Sequence, residues 1–269
     1  MSATIWIVTN PEDMVAEIVA GRLRSRGQLV HIGAPAAVEA LARSAGTSGT
    51  SAALLAVVDA QHPDSLAWLQ ARKDSMRTMR VVLLLAEAQA KPRSVRVEGD
   101  VTLIEPFEIR DLNEAIDNLL ASANVAPDEE WLTVALPTTD DALEAGRGLI
   151  EQRIHALSEL DEVAQFQLES AFREAIGNAA QHGNRHRRDR AVRLTWCKRA
   201  DGVSLRVQDE GPGFDWRAMQ TSDDAVAQAA TREAQGKLGG LGMNLMRKVC
   251  DDVRYNDAGN ELTLTKRLK

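Results

Sequence analysis

The sequence predicts two domains of different class: an α/β domain on a five-stranded parallel sheet, followed by an α+β sandwich. Three observations lead there. The first 122 residues alternate short runs of Val, Ile and Leu with helical stretches, the pattern of strands buried on both faces and crossed over by helices. From residue 131 onward, two long helical patterns precede a pair of runs alternating apolar and polar residues, as when helices gather on one face of a largely antiparallel sheet. A chain of 269 residues also exceeds the usual size of a single domain.

In the first half the expected strands are TIWIVT, QLVHIG, ALLAVVDA, RVVLLLA and VTLIEP, with helices near 11–26, 35–45, 65–73 and 109–121. The Gly/Ser/Thr-rich GTSGTS at 46–51 reads as a loop before the third strand. The acidic, Pro-containing SANVAPDEEW at 122–131 follows one helix and precedes the strand WLTVAL. Expected limits are therefore 1–122 for the first domain, 123–130 for a linker and 131–269 for the second. Helices are expected near 140–157 and 162–182. After them AVRLTWCK and VSLRVQDE form a hairpin around an Asp201-Gly202 turn, since Val192, Leu194, Trp196, Val203, Leu205 and Val207 alternate with mostly polar residues. A loop-rich segment, a helix near 241–250 and a last strand ELTLTKRL complete the chain, and no internal repeat is evident.

Hydrophobic residues at 44% and charged residues at 26% are ordinary for a folded water-soluble chain. The net charge of -7 argues against nucleic acid as the main partner. The two cysteines, Cys197 and Cys250, lack metal-ligand spacing or a disulfide framework and read as free thiols in a reducing compartment. The start, MSATIWIVTNPEDMV, meets acidic residues too soon for a signal peptide, and no apolar run approaches the roughly 18 residues of a membrane span. A cytoplasmic protein without membrane contact is expected.

The stretch AFREAIGNAAQHGN at 171–184 places polar residues in helical register. Positions i, i+4 and i+8 share a face, so Glu174, Asn178 and His182 form a polar stripe beside apolar Phe172, Ala175, Ile176 and Ala179. The strand VSLRV runs into QDEGPGFD, putting Asp209 at a strand end with Gly211 and Gly213 behind it. Farther on, GKLGGLGMNLMRKVC sets Gly236, Gly239, Gly240 and Gly242 at the entry to an amphipathic helix, where free N–H groups and the dipole favour a phosphate. A carboxylate able to accept from an exocyclic amine, a phosphate cradle and a helix bearing oxygen ligands together describe a pocket for a nucleotide with Mg²⁺.

Three motifs in this order, EAIGNAAQHG, DEGPGFD and GGLGMNLM, make residues 130–269 resemble the GHKL ATPases of the Bergerat, or histidine-kinase-like, fold, and among them the anti-sigma-factor serine/threonine kinases. The resemblance implies that Asn178 holds Mg²⁺, that Asp209 receives the adenine amino group, and that Gly211 and Gly213 shape the adenine pocket. It implies that Gly239, Gly240 and Gly242 close over the phosphates of ATP, that 215–238 form a lid, and that Glu174 is the general base. The family often opens its last strand with Gly-Thr; this chain has Gly259-Asn260-Glu261. His182 is expected to cap its helix, and the basic run NRHRRDR at 184–190 to be a solvated loop.

The first half resembles the receiver domain of response regulators, a flavodoxin-like fold, with Asp59 of DAQHPD at the phosphoacceptor position. Its helpers differ. Thr9-Asn10 stand for the acidic pair, Leu85 or Ala86 for the hydroxyl residue, and Glu105 for the lysine, so metal ligation and phosphoryl stabilisation are lacking. Residues 1–122 are thus expected to be a pseudo-receiver used for dimerisation or docking.

The resemblances imply an ATP-dependent serine/threonine protein kinase that phosphorylates an anti-sigma-factor antagonist in a partner-switching pathway, with a sigma factor as a further partner, and acting as a homodimer. Two alternatives stand beside it: an ATP-binding interaction switch without phosphotransfer, and the catalytic half of an atypical histidine kinase, for which His155 in RIHALSEL would be the acceptor.

Overall fold

The computed structural model describes residues 4–10, 12–38, 40, 55–62, 64–71, 79–93, 95–122, 130–217 and 241–268. The chain divides into two compact units, one made of 1–90 with 96–133 and the other of 91–95 with 134–269.

In the first unit, β1 (Thr4–Val8), β2 (Leu29–Gly33), β3 (Leu55–Asp59), β4 (Arg80–Leu85) and β6 (Val101–Ile104) form a sheet in the order β2-β1-β3-β4-β6, with every pairing parallel. The three-residue β5 (Arg96–Glu98) precedes β6 and was not expected from its sequence, being too short to carry a periodicity. Counted along the sheet, the order is the flavodoxin-like 2-1-3-4-5, and its direction reverses between β1 and β3, where ligands of open α/β sheets bind. Helix α1 (Met14–Ser25) starts at Asp13, whose Oδ1 accepts from the N–H groups of Val15 and Ala16 at 2.8 and 3.3 Å. It buries Ala16, Val19, Ala20 and Leu23, at the 3- and 4-residue spacing of one helical face, against Ile5, Ile7, Val57 and Val82 of the sheet. A short α2 (Ser65–Ala71) follows β3, and α3 (Ile109–Ser122) adds Leu112, Ala115 and Ile116 to the α1 side of the core. Residues 41–54, including the expected loop GTSGTS, lie outside the described residues.

In the second unit, the end of β7 (Glu130–Pro137, of which 134–137 belong here), β8 (Ala191–Arg199), β9 (Gly202–Asp209), β10 (Asp252–Tyr255) and β11 (Glu261–Arg267) take the order β10-β11-β9-β8-β7. The β8–β9, β9–β11 and β10–β11 pairs are antiparallel. Arg199 pairs with Gly202, so the hairpin turns on Ala200-Asp201, one residue earlier than the sequence suggests. Strand β10 was missed: DVRY carries too few apolar residues to read as a strand, and it forms only because β11 offers it a partner. In β8, β9 and β11 the alternating positions Val192, Leu194, Trp196, Val203, Leu205, Val207, Leu262 and Leu264 are buried, joined in β8 by Ala191 and Cys197.

Against them pack α4 (Asp140–His155), through Ala142, Gly146, Ile150 and Ile154, and α5 (Glu162–Asn178), through Leu168, Ala171, Phe172, Ala175 and Ile176. His155 Nε2 lies 2.8 Å from the buried carboxylate of Glu169, joining α4 to α5. A third helix, α6 (Leu241–Val249), packs on α5. Among the described residues, no helix is long and apolar enough to cross a membrane.

Candidate functional site

The end of α5 sets the site. After Asn178 the backbone widens into a π-helical turn over Ala179–Gly183, a feature that often marks functional positions. Glu174 and Asn178 stay one α-turn apart, and Asn178 Nδ2 donates to Glu174 Oε1 at 3.4 Å. The wider turn takes His182 out of strict i+4 register: it is exposed and joins the pocket only at its edge. The polar stripe is therefore a pair with a rim residue.

Behind the π-turn, Asn184 is fully buried. Its Nδ2 donates to Thr138 Oγ1 and to the Ala191 carbonyl, both at 2.9 Å, and its Oδ1 accepts from Glu210 N–H at 2.9 Å. One side chain thus ties the helix end to the start of β8 and to the residue after Asp209. The two residues beyond it, Arg185 and His186, have φ of 55° and 54°, left-handed values uncommon without glycine. The rest of the basic loop is exposed apart from Arg190, and Arg187 pairs with Asp189 at 2.6 Å.

A cavity of about 270 Å³ opens between α5, the ends of β9 and β11, and α6; its wall includes Ala175, Asn178, Gly183, Val207, Asp209, Gly213, Phe214, Met243, Tyr255, Asn260 and Leu262. Asp209 ends β9 inside it. Gly211 N–H donates to Asp209 Oδ1 at 2.7 Å. Burial pushes the Asp209 carboxyl above its ordinary value, with that N–H and the charge of Arg190 opposing. Space for the carboxylate comes from Gly183, because a Cβ there would sit well under 3.0 Å from Cγ and both oxygens of Asp209. Gly213 (φ 72°) and Gly259 (φ 76°) lock two loops face to face: a Cβ on the first would strike the Ala258 carbonyl, and one on the second the Phe214 carbonyl.

The chain's single tyrosine closes one side. Tyr255 meets Phe214 edge-on at 5.1 Å and stacks with Trp216 at 6.2 Å, while its hydroxyl donates to Met243 Sδ at 3.4 Å. Burial, helped by the carboxylates of Asp209 and Glu174 and opposed by Arg247, pushes its phenol up to about 12.

Of the residues expected at the site, Asn178, Asp209 and Gly213 line this cavity, and Gly211 supports Asp209 from behind. Glu174 lies just beyond the wall, one turn before Asn178, directly over Gly242 in the first turn of α6, where a Cβ would displace its carboxylate. Gly236, Gly239, Gly240 and most of the expected lid fall outside the described residues. Sequence reasoning did not assign Gly183, Asn184 or Tyr255; only the HGN following the polar pair offered a signal for the first two.

In the other unit, Thr9 and Asp59 sit at the carboxyl ends of β1 and β3, at the point where strand order reverses. Thr9 Oγ1 lies 3.1 Å from both Asp59 Oδ2 and Asp13 Oδ2, and its one proton serves one of them at a time. Gln61 N–H donates to Asp59 Oδ1 at 2.9 Å, and Gln61 Nε2 to Glu105 Oε1 at 2.6 Å. Each Asp59 oxygen thus has a donor within reach, and the Glu105 carboxylate lies on the other side of Gln61.

Residues 136–266 match the family described as the histidine kinase-like ATPase domain. A relative, the serine-protein kinase RsbW of Bacillus subtilis (strain 168), is 31% identical over 102 residues, which are 38% of this chain and 63% of that protein's length. Two response regulator receiver proteins of known structure are similar. The one from Sinorhizobium medicae WSM419 has 22% identity, covers 45% of this chain and 97% of its own, and has a TM-score of 0.33. The one from Burkholderia phymatum has 15% identity, covers 45% and 96%, and has a TM-score of 0.35.

Proposed function

From the premise that the chain carries a histidine kinase-like ATPase domain behind a receiver-like one, we propose that it is an ATP-dependent protein kinase that phosphorylates a serine or threonine of a small anti-sigma-factor antagonist. One observation carries the reading: the Glu174 carboxylate stands beside Asn178 and over Gly242, next to a cavity that has an acceptor, Asp209, in its wall. A pocket that only bound nucleotide would need the acceptor and the amide but not the adjacent carboxylate.

The residues suit Mg²⁺. Because Asn178 turns Nδ2 toward Glu174, its Oδ1 is left as a hard oxygen ligand, and the absence of a side chain on Gly242 lets the Glu174 carboxylate lie against the first turn of α6, beside that ligand. Bound there, Mg²⁺ would offset the negative charge of the phosphates. Asp209 accepts from the amine of the base and fixes the nucleotide's direction, so that its phosphates run toward Asn178 and α6. Glu174 accepts a hydrogen bond from the incoming serine hydroxyl, aligns it with the γ-phosphorus and takes its proton as the new O–P bond forms and ADP leaves. Gly239 and Gly240 belong to the phosphate-closing segment in this reading.

We take residues 1–122 as a pseudo-receiver that docks a partner or pairs two copies, and 131–269 as the kinase domain. His155 ends α4, a helix of the histidine kinase-like unit itself, rather than standing on a separate helical pair before it, which disfavours it as a phosphoacceptor.

The test is incubation with γ-labelled ATP, Mg²⁺ and candidate antagonist proteins from the same genome. Acid-stable label on a partner serine or threonine supports the kinase. Label on histidine, or tight ATP binding with no transfer to any candidate, replaces it with the histidine-kinase or the switch reading.

A further inference from the structure

Helix α1 turns an apolar stripe to the outside. Ala16, Val19, Ala20 and Leu23 are its buried side, and at about 100° per residue the opposite side is centred on Met14, Ile18, Gly21 and Ser25. Among the described residues Met14 is the most exposed of the large hydrophobic side chains, at 79%, and Ile18 is 59% exposed. Gly21 is exposed as well, and a Cβ built there would meet nothing within 4 Å. Glycine inside a helix weakens it relative to alanine, so the packing of α1 on its own chain gives no reason for a glycine at this position. Ser25 continues the stripe with its hydroxyl turned back, Oγ donating to the Arg22 carbonyl at 2.7 Å, and can be covered without leaving a donor unmet. The stripe is thus large in its first half and small in its second. Such a surface is complementary to itself when a second copy runs antiparallel: with a two-fold axis between Val19 and Ala20, Ile18 falls over Gly21 of the partner subunit, and Met14 over Ser25 of the partner subunit. Charge agrees with shape. Glu17 and Arg24 share one flank of the stripe, 3.6 Å apart, and this axis sets like flanks together in opposite directions, so each Glu17 also meets Arg24 of the partner subunit. On the other flank Arg22 is held by Asp117 and, at 2.8 Å, by Asn113 of α3, so no unpaired like charges are opposed.

We propose that two copies of this chain pair through α1, antiparallel about a two-fold axis, with Met14 and Ile18 as anchors and Gly21 as the position that permits close approach. This rests on the reading of residues 1–122 as a domain that docks a partner or pairs two copies; it chooses pairing and names the surface, and it does not depend on phosphotransfer. One helix pair buries less than the roughly 1,200 Å² of a stable interface, so the dimer is reversible.

Sedimentation velocity on the full chain across the micromolar range tests it, with a monomer–dimer equilibrium expected for wild type. Ile18→Lys, at an exposed position that the fold does not need, should raise the dimer dissociation constant about tenfold or more, as loss of an anchor side chain does. Gly21→Gln should weaken pairing by blocking close approach, yet raise the melting temperature at a concentration where wild type is monomeric, because glutamine is the better helix former. On a face that only meets solvent, the same change would give the second effect without the first. Glu17→Arg should weaken pairing, and the double variant Glu17→Arg with Arg24→Glu should restore most of it. A wild type that stays monomeric overturns the inference and leaves docking of a different protein as the use of the first domain. A dimer that either Ile18→Lys or Gly21→Gln leaves intact overturns it as well, while pairing through another surface stands. The kinase reading is scored separately by label transfer, so its failure and this one are distinguishable.

Discussion

A single methyl group on Gly183 should disable the base pocket by displacing the Asp209 carboxylate. The Cβ of Gly183→Ala would fall well under 3.0 Å from Cγ and both oxygens of Asp209. Asp209 is short, and its backbone is fixed on both sides: its N–H donates to the Asn260 carbonyl at 2.9 Å, and its carbonyl accepts from Asn260 Nδ2. The carboxylate can move only by leaving the Gly211 N–H, its 2.7 Å partner. Two costs follow. Overpacking at such a site lowers stability by about 1–3 kcal/mol. Displacing the acceptor costs binding about 1.5–3 kcal/mol, the value of a hydrogen bond to a charged group, or about 10- to 150-fold in the Kd for ADP. Asp209→Asn should cost a similar amount, since it places an amide donor where an acceptor is needed. Because both changes act through one carboxylate, the double variant should bind little worse than either single one, a marked departure from additivity. The assay is calorimetric titration with ADP at a temperature where circular dichroism shows each variant folded. Wild-type affinity in folded Gly183→Ala, or full additivity with Asp209→Asn, would refute the assignment of Asp209 to the base.

On the neighbouring turn, Glu174→Gln should bind ATP with Mg²⁺ much as wild type does but lose about 10²- to 10⁴-fold in phosphoryl-transfer rate, the usual contribution of a general base. Asn178→Ala should instead weaken Mg²⁺-dependent binding itself, and single-turnover kinetics beside calorimetry separate the two. Acetyl phosphate with Mg²⁺ should leave Asp59 unmodified by mass spectrometry, because Thr9 and Gln61 occupy its oxygens and Glu105 stands nearby; an aspartyl-phosphate at Asp59 would reverse the pseudo-receiver reading. Tyr255, the only tyrosine, should ionise at about 12 in the folded chain by ultraviolet titration, against about 10 in guanidinium. Since the folded value is the higher one, the stability tied to the neutral phenol is present below pH 10 and is lost as pH rises toward 12. The loss is about 1.4 kcal/mol per pH unit within that window, and it should be missing from Tyr255→Phe.

The sequence by itself determined the two fold classes and the chemistry-bearing residue types. Continuous Val/Ile/Leu runs such as RVVLLL, short and lacking helical period, read as strands covered on both faces, and the alternation of Val203, Leu205 and Val207 reads as a strand with one buried face. Periodicity is local, so it survives without knowledge of partners. The pairing of Glu174 with Asn178 was legible for the same reason, being set by one α-turn. What required tertiary structure is everything that depends on one segment meeting another. DVRY becomes a strand because β11 lies alongside it. Gly183 matters because Asp209, 26 positions farther on, lies against its Cα. His182 drops from the stripe because the helix widens to π where Asn184 is drawn into the core by Thr138, Ala191 and Glu210. The direction of the Asn256 amide is fixed by the backbone N–H groups of Gly259, Asn260 and Glu261, which converge on its Oδ1. Spacing in sequence reports which residues share a face of one element, whereas burial, close approach and the direction of an amide are properties of the packed chain.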